Sequence, residues 1–198
     1  LLLALLLLAA WLAVEAVRSG EPRMERRAGF ALAAAVLTRY EAWPFAAALV
    51  GLVLAASLRV GRSRRAAFQS AGRLAVPAAI AIGAFLLLSR ATVGEWFVQS
   101  GFFVAENPDQ HRPVRALASV WWGLHVLSSY PLAALGASGL LLLFARGLRS
   151  RALAASLPAL ALTAVAVLPW YAFYSGHPFR IRYMIPLLPA LGLGAGCV

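Results

Sequence analysis

The sequence predicts an all-α, polytopic bundle of transmembrane helices with a short helical hairpin and external interfacial helices, and three observations carry that expectation. Of the 198 residues, 62% are hydrophobic and only 13% are charged, about half the charged share of a soluble globular domain. Apolar runs follow one another with short polar breaks, so no soluble domain is inserted and residues 1–198 read as a single transmembrane domain. The breaks themselves alternate between arginine-rich and arginine-poor, as sidedness demands of a chain that crosses a bilayer repeatedly.

The first apolar run, residues 1–17, covers about 26 Å as a helix, close to the hydrocarbon thickness. It lacks a basic leader region and a small-residue cleavage site, so it reads as a span and not as a signal peptide. Its first residue is a leucine inside an apolar stretch, and the expectation is a chain that begins within a span, as part of a longer protein. Arg18, Arg23, Arg26 and Arg27 follow it. Residues 28–58 would make a straight helix of about 46 Å, too long for a bilayer. Their middle reads Thr38-Arg39-Tyr40-Glu41-Ala42-Trp43-Pro44, and Pro44 disfavours helix at and before itself. Two short helices meeting at a polar elbow near the outer leaflet are therefore expected.

Sidedness agrees with that hairpin. Arg59, Arg62, Arg64, Arg65 and Arg73 after it match the basic residues before it, and a third basic group is Arg146, Arg149 and Arg151. Twelve of the 18 arginines thus fall in three loops expected on the cytoplasmic side. Between them come a span over 74–89, an external segment over 90–129, and a returning span over 130–145. A span over 152–170 and a last one over 184–198 complete the map. In the external segment, Trp96, Phe97, Phe102 and Phe103 suggest one interfacial helix. Val114, Leu117, Val120, Trp121, Leu124 and Leu127 fall at helical spacing in a second, with His125 on its polar flank.

The net charge of +11, from arginine with no lysine, raises nucleic-acid binding as a rival class. The clustering in short loops between apolar runs excludes it, since topology and contact with anionic membrane lipids account for the charge. Cys197 stands alone in an apolar run, so there is no disulfide framework. No nucleotide loop, metal-spaced Cys or His cluster or hydrolase triad is present in the sequence, and these residues call for no cofactor and no metal.

Three places could carry chemistry. Arg39 and Glu41 at the elbow are costly in an apolar segment, about 2.5 to 3.5 kcal/mol for an arginine at a helix centre. They either pair with each other or snorkel to the interface, or else they face a ligand. The external loop holding Tyr171, Tyr174, His177, Arg180, Arg182 and Tyr183 sets two arginines against the sidedness trend. Guanidinium forks bind phosphate in bidentate fashion, so an anionic group at the outer leaflet would explain them, as would anchoring to lipid headgroups. The polar run Glu106, Asn107, Pro108, Asp109, Gln110, His111 and Arg112 could supply a base or position a hydroxyl, or be a solvated loop.

The layout resembles the GT-C superfamily of membrane glycosyltransferases, which includes the dolichyl-phosphate-mannose protein mannosyltransferases and their bacterial relatives. Two short stretches carry the resemblance: Leu37-Thr38-Arg39-Tyr40-Glu41-Ala42-Trp43 in the hairpin, and Arg180-Ile181-Arg182-Tyr183-Met184-Ile185-Pro186-Leu187-Leu188-Pro189-Ala190-Leu191 opening the late span. The resemblance implies a multi-pass enzyme of the bacterial inner membrane. It would transfer a sugar, with inversion, from a polyprenyl-phosphate donor to an acceptor on the non-cytoplasmic face. It also implies that Arg39, Arg180 and Arg182 hold the donor phosphate, with His177 and Tyr183 nearby and Glu41 orienting Arg39 or a sugar hydroxyl. In that family the catalytic acid lies in the first external loop, after the first span. It would precede residue 1 here, together with any metal that acids there might hold. Rival expectations are a multi-span transporter or lipid flippase, for which inverted repeats would speak, and a structural subunit without a site.

Overall fold

The structure, a computed structural model, describes residues 1–96 and 107–198. Among the described residues every regular element is helical. The helices are α1 (Leu2–Ser19), α2 (Pro22–Val36), α3 (Ala42–Arg59), α4 (Arg64–Val93), α5 (Pro113–Ser128), α6 (Tyr130–Arg149), α7 (Arg151–Ala154), α8 (Val167–Tyr174) and α9 (Leu188–Ala195). Stretches of 3-10 helix, Leu157–Ala166 and Ile181–Leu187, lead directly into α8 and α9. Five helical stretches among the described residues are long and apolar enough to cross a membrane: Leu2–Ser19, Ala42–Arg59, Arg64–Val93, Tyr130–Arg149 and Leu157–Tyr174. The chain is an all-α integral membrane bundle.

Local chemistry explains the joints. α1 ends on Gly20, whose φ of 76° is left-handed and whose N–H donates to the Ala16 carbonyl, and Pro22 then opens α2. The hairpin breaks at residues 37–41, earlier than the proline that signals it. A proline ring clashes with the carbonyl four residues back, here that of Tyr40, whereas Pro44 itself fits the first turn of α3. The carbonyls orphaned at the end of α2 are taken up locally, by Thr38 Oγ1 at 2.7 Å from Ala35 O and Trp43 Nε1 at 3.0 Å from Val36 O.

The hairpin returns to where it began. Glu25, in the first turn of α2 and 1% exposed, accepts from Arg62 Nη1 at 3.2 Å and from Arg73 Nη1 at 2.5 Å. Arg62 also donates through Nη2 to the carbonyls of Ala16 and Val17, both at 2.8 Å, closing the end of α1. One buried carboxylate therefore ties α1, α2, the turn after α3 and α4 together. Arg64, Arg65 and Arg73, expected in a loop, belong instead to the first three turns of α4. Ser63 caps that helix, its Oγ accepting from Ala66 N at 3.2 Å. At 30 residues α4 is about 45 Å long, so it starts well before the span expected at 74–89.

α2 and α4 run parallel and touch. A Cβ added at Gly29 would lie 2.5 Å from the Arg73 carbonyl oxygen, so only glycine permits the approach. Farther along, Tyr40 and Trp43 meet Phe85 edge-on, at 5.8 and 6.1 Å between ring centroids. On the other flank, α6 and α9 bring backbone against backbone at Gly136, Gly139 and Gly194, the device by which small residues join helices where lipid supplies no hydrophobic drive.

The span expected over 152–170 is the continuous stretch Leu157–Tyr174, a 3-10 segment running into α8, with α7 a separate short helix before it. In α5 the buried face is Ala116, Val120, Gly123, Leu124 and His125, while Val114, Leu117 and Trp121 are exposed. The expected apolar stripe thus splits, Val120 and Leu124 packing inward beside the small Ala116 and Gly123 while the other three face out, since small residues let neighbouring helices approach. His125 is buried, not on a polar flank. Phe97, Phe102, Phe103 and Glu106 lie outside the described residues.

Candidate functional site

At the elbow, Glu41 points inward and is 3% exposed, while the Arg39 side chain is 43% exposed and folds back onto it. Arg39 Nε donates to Oε2 at 3.1 Å and Nη2 to Oε1, so the guanidinium fork grips both carboxylate oxygens. Of the expectations for this pair, mutual pairing is what the structure holds: the carboxylate, shielded at the hairpin, needs a partner and the longer arginine supplies one from the surface. Tyr40, Trp43 and Phe85 pack edge-on around it. Phe85 lies eight residues before the end of α4, so the elbow stops about 12 Å short of that helix's outer end.

The two external candidates come together. Asn107 Nδ2 donates to the His177 carbonyl at 2.7 Å, and His111 N donates to the Tyr174 carbonyl at 2.9 Å. Trp170 Nε1 reaches the Pro113 carbonyl at 3.0 Å, and the His111 ring meets Tyr174 edge-on at 5.6 Å. His111 takes a φ of 55° to make this turn, a left-handed conformation that histidine tolerates better than most side chains. Gly176, with a φ of 96°, lies against Gln110, and a Cβ there would come within 3.0 Å of that side chain. Segments about seventy residues apart in sequence thus form one platform across α5 and α8.

Asp109 is the buried acid of this platform, 6% exposed. Its Oδ2 accepts from Ser119 Oγ at 2.6 Å, its Oδ1 lies 3.4 Å from Arg115 Nε, and its N–H donates to Asn107 Oδ1 at 3.0 Å. It holds the loop to α5, an arrangement sequence spacing hides because Asp109 and Ser119 lie on either side of a helix start.

His177 and Arg180 are half-buried where the chain leaves this platform, and Arg182 is exposed, its guanidinium 5.8 Å from the centre of the Tyr183 ring. Phe179 joins Trp122 at 5.2 Å and Phe173 at 5.4 Å, with Tyr183 a further 6.3 Å from Phe173. His125 stacks on Tyr130 at 4.0 Å, and its Nδ1 has no hydrogen-bond partner among the described residues. A guanidinium beside aromatic faces can meet an anionic group. Among the described residues no hydrogen bond or ion pair joins Arg39 or Glu41 to this platform, and no group of three acids, histidines or cysteines could hold a metal. Grooves of about 450 and 360 Å³ open elsewhere, the first between α2 and α4 and the second among α1, α6 and α9.

Comparison with protein-family models, with curated proteins and with solved structures finds no match.

Proposed function

We propose that the chain serves a membrane-embedded glycosyltransferase that moves a sugar from a polyprenyl-phosphate donor to an acceptor on the non-cytoplasmic face. The observation that supports this is the joined external platform, which sets Arg180, Arg182 and a run of aromatic rings at the mouth of the bundle. In this reading Arg180 and Arg182 hold the donor phosphate, and His177 and Tyr183 flank it. The isoprenoid tail lies between helices. Arg39 is gripped by Glu41, so Glu41 acts by fixing that guanidinium and not by touching a sugar hydroxyl.

A charge-assisted arginine contact to phosphate contributes about 1.5 to 3 kcal/mol, so Arg180→Ala with Arg182→Ala lowers donor use by roughly tenfold or more. Lysine at both positions restores only part of it, since a point charge lacks the bidentate fork. The test is sugar transfer from labelled polyprenyl-phosphate sugar in membranes containing the intact protein, normalised to its abundance. Unchanged transfer in the double alanine variant would return the two arginines to the role of lipid anchors.

A further inference from the structure

The α2/α4 groove lies at the end of the bundle opposite the external platform. Its lining is ordered. On α2, Arg26 precedes Phe30 by one turn, and on α4, Gln69 and Arg73 precede Val76 and Pro77. Because the two helices run parallel, both walls change from polar to apolar in the same direction, away from the arginine-rich turns. Gly72 opens the floor, since a Cβ there would meet nothing within 4 Å.

The charge at the polar end is not balanced from within. Among the described residues Glu25 is the one carboxylate paired with Arg62 and Arg73, and Arg26, exposed on the same helix, adds a further positive charge. One negative charge against three guanidiniums leaves the groove mouth cationic. The apolar end is open as well, with Phe30 66% and Val76 56% exposed. A cationic end leading along the helix axes into an apolar, open-sided groove has the polarity of a phospholipid, headgroup at one end and acyl chain at the other.

We propose that this groove is a binding site for one anionic phospholipid of the arginine-rich leaflet. The phosphate sits between Arg26 and the outer edge of Arg73, with Gln69 hydrogen-bonded to the headgroup. The first part of an acyl chain lies over Gly72 against Phe30, Val76 and Pro77. A volume of about 450 Å³ admits a phosphoglycerol and the start of one chain, leaving the rest of the lipid in the bilayer. The site is independent of the sugar-transfer reading and stands or falls separately.

The test uses the purified protein in detergent with phosphatidylglycerol, phosphatidylcholine or water-soluble glycerol phosphate, reading retained lipid by native mass spectrometry and unfolding by heat. Wild type is expected to retain one phosphatidylglycerol in preference to phosphatidylcholine and to unfold at a higher temperature with it. Arg26→Gln weakens that retention about tenfold. Gly72→Leu, which fills the floor and favours helix, abolishes it while unfolding normally in phosphatidylcholine. Equal retention of the two lipids by wild type, or retention unaltered by both substitutions, would overturn the proposal. So would full displacement by glycerol phosphate, which would mark a phosphate site with no acyl component.

Discussion

At one end of the bundle Arg62 and Arg73 close on a single buried carboxylate and on helix-end carbonyls, whereas at the other Arg182 stands exposed over the ring of Tyr183. The residue type is the same and the work is different. Arg62, half-buried beside Glu25, turns both Nη groups to the protein itself and so fixes helices, while Arg73 gives one Nη to the same carboxylate and keeps an outer edge toward the surface. Where arginine stands at an aromatic mouth, its fork is presented outward, to lipid or to a ligand. Arginine in a membrane protein is therefore sorted by which acceptors surround it and not by which loop it occupies.

The comparison breaks most visibly if Glu25 is dispensable. Glu25→Ala leaves two guanidiniums without their carboxylate, and it should lower stability by about 2 to 3 kcal/mol, toward the small end for a buried pair because Arg73 keeps some contact with solvent. Heat unfolding in detergent reads it. Arg182→Ala in the same assay should leave the midpoint unchanged, and a similar fall in both variants would erase the distinction.

A smaller effect sharpens the other end. Asp109→Ala removes the acceptor of Ser119 and should loosen the platform by about 1 to 2 kcal/mol. The Arg115 pair adds little, since that side chain is 55% exposed. Hydrogen exchange should speed up at Asn107 to Arg115 and at Tyr174 to His177 together, because the two segments are stitched to each other. Acceleration confined to the first segment would mean they are not coupled.

Much of this architecture was legible in advance, and the reasons are physical. The all-α membrane bundle follows from apolar runs and arginine alternation, and the break near the elbow follows from a helix too long for the bilayer joined to Pro44. Glu25 could not be read. Its partners lie 37 and 48 residues away, and local charge counting assigns Arg62 and Arg73 to topology and lipid contact and gives Glu25 no role. His125 is expected on a polar flank because helical spacing marks the large apolar residues, whereas the packed face is set by the small Ala116 and Gly123 together with Val120 and Leu124. The joining of Asn107 to His177 rests on a backbone carbonyl, which no side-chain pattern announces.

The claim on which the rest depends is that the two arginine-bearing ends face opposite sides of the membrane. With Cys197→Ser as background, Ser63→Cys and Gln110→Cys can be probed with an impermeant maleimide, in intact cells and in inverted vesicles. The account predicts that position 110 is labelled from outside and position 63 only in inverted vesicles. Labelling of both positions from the same side would contradict the hairpin, the sidedness of the Glu25 ion pairs and the proposed donor site together.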